Sequence, residues 1–207
     1  MTSSPFDRAV APDWEEFLRC ITRKGEPERV HPIELFLDAE VKDAVCERFD
    51  LTADLDRGDP WFEQKREIAL QRFLGYDYVL AGLEGLEMPY HEVVAEDTAG
   101  LARREGRAFI DQHTGPISSW EDFENYPWPD VAAASDRVLV WYETNLPDDM
   151  CVIGGLTGHF AENLSWLLGY ETLCYKLYDD CLLYTSDAAD DETIVVGGGG
   201  GGGGEGG

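Results

Sequence analysis

Apolar and polar positions along this chain recur with periods that change from segment to segment, and the changes mark the elements. Trp14, Phe17, Leu18 and Ile21 stand at i, i+3, i+4 and i+7, a single stripe that predicts a helix. Asp13 can cap it, with Glu16 three residues on as in a capping box, and Gly25-Glu26-Pro27 breaks it. Residues 29–36 (RVHPIELF) form a short apolar run, read as a strand leading into a helix over 38–49. A third amphipathic helix is predicted over 60–74, with Pro60 at its start and Gly75 just past its end. Residues 76–82 (YDYVLAG) and 150–155 (MCVIGG) are compact enough for strands buried on both faces. Between them, residues 91–117 alternate polar and apolar side chains, punctuated by Gly100, Gly106 and Gly115, as antiparallel ribbons do. A short helix starts at Ser118-Ser119-Trp120 and stops before Pro127-Trp128-Pro129. Further helices are predicted over 131–145, 158–168 and 171–180.

Strands separated by helical segments imply parallel pairing through right-handed crossovers. About three core strands against this many helices would leave helix faces uncovered unless more strands followed. A closed (β/α)8 barrel takes ~250 residues. Residues 1–180 therefore read as an α/β chain, the N-terminal portion of a (β/α)8 TIM barrel, incomplete at about four βα units.

Residues 181–207 change character. CLLYTSDAAD resembles one reading frame of a sequencing adapter, a short variable stretch follows, and poly-glycine interrupted by Glu205 ends the chain. Natural glycine-rich linkers mix in Ser or Pro and join two segments. This stretch is expected to be an artefact of sequencing and disordered, and the 207-residue product is expected to lack activity and to dissolve poorly.

Composition narrows the partners. With five of its 42 acids set aside in the tail, 37 remain against 16 bases, a balance of −21. Such a charge repels nucleic acid backbones and anionic membrane surfaces, so neither partner is expected. No run of ~18 apolar residues and no basic segment before an apolar one occurs, so no membrane span or signal peptide is expected and the cytoplasm is the expected location. Cys20, Cys46, Cys151 and Cys174 show no CxxC or HxC spacing and read as buried free thiols in a reducing compartment.

Four stretches in order carry a family likeness. They are Gly25-x-Pro27-x-Arg29-Val30, then Gly75-Tyr76-Asp77-Tyr78-Val79, then Gly115-Pro116-Ile117-Ser118-Ser119-Trp120-Glu121-Asp122-Phe123 with Tyr126-Pro127-Trp128-Pro129. The last is Gly154-Gly155-x-x-Gly158-x-Phe160-x-Glu162 with Leu168-Gly169-Tyr170-Glu171. Together they resemble the uroporphyrinogen decarboxylase superfamily over about residues 12–180. That superfamily holds the heme-pathway decarboxylase and corrinoid-dependent methyltransferases on one barrel. Where the decarboxylase carries an arginine-rich element after its first strand, this chain reads Ile33-Glu34-Leu35-Phe36-Leu37-Asp38. Where the decarboxylase places Phe-Ser-Asp after its second, it reads Leu80-Ala81-Gly82-Leu83-Glu84. Acids there would repel a polycarboxylate that needs guanidinium partners. The likeness therefore implies a parent enzyme that moves a methyl group between a corrinoid and a small molecule, with zinc held by a His-x-Cys and a later Cys. This chain has no His-x-Cys, and no metal ligand is assigned to it. Decarboxylation of a porphyrinogen is the second reading, and a non-catalytic α/β binding module the third.

In barrels of this class the reacting groups sit at the C-terminal ends of strands. Glu34 could act there as acid or base, or cap the helix that follows. Glu84 is an offset candidate for binding substrate. His159 and Glu162 stand three apart after a glycine turn, where Gly155 and Gly158 would let a ligand approach the backbone. The alternative is that His159 points to solvent from a first turn. His31, His91 and His113 read as satisfied core or surface groups. Trp120, Tyr126 and Trp128 lie among acids without the cations a nucleic-acid platform needs, and are expected to pack around a short helix.

Overall fold

The computed structural model describes residues 10–34, 37–96, 106–154 and 159–179. Gly155, Gly158 and the 181–207 tail lie outside the described residues. The chain is mixed α/β and divides into two units, Met1–Leu86 with Val131–Gly155, and Glu87–Asp130 with Leu156–Gly207.

In the first unit α1 (Trp14–Ile21) begins where expected, with the Asp13 carboxylate accepting from the Glu16 backbone N–H at 2.9 Å. The capping box is only half made, because the Glu16 carboxylate turns instead to the Glu28 N–H at 2.6 Å. After α2 (Ala39–Arg48) comes α3 (Phe62–Leu74), closed by Gly75 in the left-handed region at φ 82°. Leu74 is followed directly by the stretch that becomes β1 (Tyr78–Ala81). β1 pairs in parallel with β4 (Cys151–Gly154), Tyr78 opposite Cys151 and Ala81 opposite Gly154, with α5 (Arg137–Asn145) just before β4.

Strand alternation gives this two-stranded sheet two unlike faces. Val79, Ala81 and Val152 pack with Tyr142, Trp141 and Ile68, so α3 and α5 cover one side. Tyr78, Leu80, Cys151 and Ile153 share the other. There the Phe17 ring of α1 lies over Tyr78 at 6.1 Å, while Leu80 is 39 % exposed.

The second unit pairs β2 (Glu92–Ala95) with β3 (Arg107–Ile110) as the expected antiparallel ribbon. It adds α4 (Trp120–Asn125), α6 (Phe160–Leu168) and α7 (Tyr170–Asp179). Its core joins Ile117, Tyr126 and Leu167, with Met88, Tyr90 and Leu168 packed around them. Ser119 caps α4 through a complete capping box in which Asp122 answers both the Ser118 and Ser119 hydroxyls and backbone N–H groups.

Four expectations are corrected. Residues 29–34 form no ladder: residue 29 lies in a bend, Pro32 has no N–H to donate, and the Arg29 and His31 side chains bond Asp77. Residues 35 and 36 of that predicted strand lie outside the described residues. The helix predicted over 131–145 is broken into a 3-10 turn, Val131–Ala133, and α5. A reciprocal backbone pair between Glu84 and Ser135, both bonds 3.0 Å, holds Ser135 out of the helix despite the alanine-rich run before it. Of the four thiols only Cys46 is buried, and Cys174 is exposed. Trp120 is not core: 74 % of it is exposed, although Tyr126 is buried as expected.

Gly115 and Gly169 bring the 113–115 backbone hard against the end of α6. A Cβ on Gly115 would overlap the Leu167 carbonyl, and Gly169 takes φ 79° beside the His113 carbonyl. Gly115→Ala is expected to cost about 2 kcal/mol in urea unfolding, since the neighbour that must move is backbone. The Asp122 carboxyl is held down at about 2 by the Ser118 hydroxyl first, then by the backbone N–H groups and the Ser119 hydroxyl. Its folded value lies below its unfolded one. The stabilisation is therefore complete above about pH 4 and lost as pH falls through about 2. The melting difference between the protein and Asp122→Asn is expected to vanish over that window.

Candidate functional site

The foot of β1 holds the most buried charge described. Asp77 has no exposed surface, and one carboxylate oxygen accepts from the Asp13 N–H at 2.7 Å and from the Arg29 guanidinium. The other lies 2.7 Å from His31 Nδ1, which therefore carries the ring proton, because a carboxylate only accepts. Across the ring, Glu16 Oε2 stands 3.3 Å from Nε2 without hydrogen-bond geometry. The Asp77 carbonyl also accepts from Cys151 N–H, joining this cluster to β4. It ties α1 and the 29–31 stretch to the sheet at the N-terminal end of the strand.

Toward the other end of β1 a cleft of about 300 Å3 opens beside Leu80, with Glu34, Lys42, Glu67, Gln71 and Tyr142 among its lining. Residues 67 and 71 are one turn apart on α3, which places both side chains over the cleft. Lys42 from α2 donates to both Glu67 oxygens at 2.9 Å, and the buried Gln71 amide donates to one of them at 2.6 Å. An ammonium has three N–H groups, and two of those of Lys42 are directed at Glu67. Burial, and then the Glu67 charge, push the Tyr142 phenol up to about 12, so it stays a protonated donor near neutrality.

Glu34 reaches the same cleft. Its backbone N–H donates to the Tyr78 hydroxyl at 2.8 Å, and that hydroxyl donates back to the Glu34 carbonyl at 3.0 Å. Burial raises both Tyr76 and Tyr78, with the Glu34 charge adding to each. Glu84 follows β1 and is bound by Arg137 Nε at 2.9 Å, a guanidinium that also lies over the Trp61 ring at 5.2 Å. His159 and Glu162 belong to the second unit. His159 is the extended residue before α6, its side chain exposed and making no cap bond, while Glu162 is exposed in the first turn. The helix thus begins one residue too late to stack them on one face. The predicted site residues therefore fall into two groups, Glu34 and Glu84 on the first unit and His159 and Glu162 on the second.

Lys42, Glu67, Gln71 and Tyr142 were not singled out from sequence. The one signal for them was the four-residue spacing of Glu67 and Gln71, which many solvated helix faces share. Arg29 and His31 stand two apart in the run read as a strand and so on one side of it, a hint that they act together. His31 is buried as a core histidine would be, but only its Nδ1 is hydrogen-bonded, and Nε2 has no hydrogen-bond partner. A thiol-activating zinc centre does not fit these residues. The cysteines are scattered, and among the described residues no three His, Cys, Asp or Glu side chains are grouped to hold a metal ion. No helix described is long and apolar enough to cross a membrane. Comparison with protein-family models, curated proteins and solved structures found no match.

Asp77→Asn is expected to lower stability by about 3–5 kcal/mol in equilibrium denaturation, because it removes the charge that faces Arg29 and puts an NH2 donor in place of one of the two oxygens that accept from Arg29 and His31. A loss under 1 kcal/mol would mean the cluster holds nothing together.

Proposed function

We propose that this chain carries the first units of a (β/α)8 barrel enzyme related to the uroporphyrinogen decarboxylase superfamily. The intact enzyme would move a methyl group between a corrinoid carrier and a small molecule. The observation that carries the reading is the parallel β1–β4 pair, covered by α3 and α5 on one face and half-open on the other. Parallel sheets are buried on both sides, so this face calls for further strands of the same sheet. The half-exposed Leu80 counts against the self-contained binding module for the same reason.

The choice of chemistry rests on charge. By the resemblance, Glu34 falls where a polycarboxylate substrate would need guanidinium groups, and the arginine beside Glu84, Arg137, is already held by that carboxylate. In the cleft, Lys42 and Tyr142 would hold and orient a small polar ligand by donated hydrogen bonds, and Glu34 would accept or return a proton. The corrinoid, when bound, supplies the methyl-carrying centre. The residues described supply binding, orientation and proton control.

Sequencing the source locus past residue 180 is expected to find further strand–helix units and a His-x-Cys…Cys pattern. The longer product should consume the cobalt–carbon bond of methylcobalamin with a thiol acceptor, and Glu34→Gln should slow that reaction by about 100-fold. A native stop soon after residue 180 would overturn the reading. So would CO2 release from uroporphyrinogen by a product whose pocket is lined with arginine.

A further inference from the structure

The second unit presents a row of aromatic rings held at fixed angles. Trp120 and Phe123 stand one turn apart on α4 and stack at 5.0 Å with 8° between their planes. Trp128 meets Phe123 edge-on at 5.2 Å and Tyr126 at 4.6 Å. Two of the rings are fixed from behind: Trp128 Nε1 donates to the Phe123 carbonyl at 3.0 Å, and the Tyr126 hydroxyl to the Pro89 carbonyl at 2.7 Å. The Asp122 cap fixes the start of the helix. Tyr126 is core, whereas Trp120, Phe123 and Trp128 are 74, 40 and 42 % exposed. Rigid, exposed tryptophans are the side chains that anchor interfaces, since little conformational entropy remains to be lost.

Charge decides the partner. From residue 111 to residue 130 the chain has five Asp or Glu and no Lys or Arg, and Glu121 and Glu124 are exposed on the helix between the rings. The Lys176 ammonium reaches this segment from α7 and is used on the Ser118 carbonyl. A ring face carries negative potential, and carboxylates around it add to the attraction for a cation. At a formal charge of −26, a second copy of this chain, a nucleic acid or an anionic lipid surface would be repelled.

We propose that the Trp120–Phe123–Trp128 face docks a basic peptide segment of a partner protein. An arginine or lysine side chain lies over the Trp120 indole, and its neighbours meet Glu121 and Glu124. The site is independent of the cleft on the first unit and of the methyl-transfer reading.

The test is a titration of the full chain with a synthetic peptide alternating arginine and glycine, followed by tryptophan fluorescence. The same peptide with neutral citrulline for arginine is the control. Saturable one-to-one binding that weakens with salt is expected, with the citrulline peptide failing to bind. Diffuse attraction to an acidic protein would survive loss of one indole, so Trp120→Ala decides the matter. It should weaken binding about tenfold, with Trp120→Phe keeping most of it. Glu121→Gln with Glu124→Gln touches only exposed charges and should weaken it as well, with an unchanged circular dichroism spectrum. Equal affinity for the citrulline peptide would overturn the proposal, as would undiminished binding by Trp120→Ala, or binding of an oligosaccharide in place of the peptide.

Discussion

A carboxylate sealed from solvent at the foot of β1 sets the constraint on which the first unit depends. Burying Asp77 alone would cost several kcal/mol, and that cost is offset only when its donors arrive together. Those donors come from Asp13, Arg29 and His31, up to 64 residues away along the chain. The start of α1, the 29–31 stretch and the strand are therefore positioned by one charge. The Arg72–Asp149 ion pair and the Trp14 indole bond to the Asp148 carbonyl fasten the approach to β4 at the same end.

That arrangement explains why the two faces of the sheet differ. The helix side is closed by ordinary apolar packing around Val79, Tyr142 and Met150. On the opposite side α1, drawn in by Asp77, lays Phe17 over Tyr78. Two residues further along β1 this cover ends, and Leu80 meets solvent. An apolar strand position left 39 % exposed forgoes part of the burial that would stabilise a parallel pair, which is worth roughly 2 kcal/mol for a whole leucine. The proposed barrel accounts for this by supplying neighbours on that side.

What could be read from the sequence was what short-range chemistry decides. Asp13, Gly75 and Ser119 mark helix ends through bonds within a few residues, and the ribbon at 91–117 announced itself by alternation. What could not be read depended on partners remote in the chain. The 29–36 run has strand composition, but Arg29 and His31 serve Asp77, 46 residues or more away. Alanine-rich residues 131–134 favour helix, yet the Glu84–Ser135 pair breaks it. The Lys42–Glu67 contact spans 25 residues and has no local signature. Glu34, a candidate from its place in an apolar run, lines the cleft, whereas Glu84 is not among its lining and Tyr142, on a helix, had no local pointer.

The two ends of β1 also divide the work. At the foot, the Asp77 carboxylate is sealed and both of its oxygens are bonded, so a ligand there would have to displace a bond the fold needs. At the other end the charges are paired but partly wet. Lys42 and Glu67 keep about a quarter of their side chains in solvent, and Arg137 and Glu84 more. Such pairs are worth little to stability. A substrate could take one of their hydrogen bonds at small cost. Under the proposed function, the cleft between Lys42, Tyr142 and Glu34 is where a substrate would exchange such bonds, and the Asp77 cluster is what would keep its walls in place.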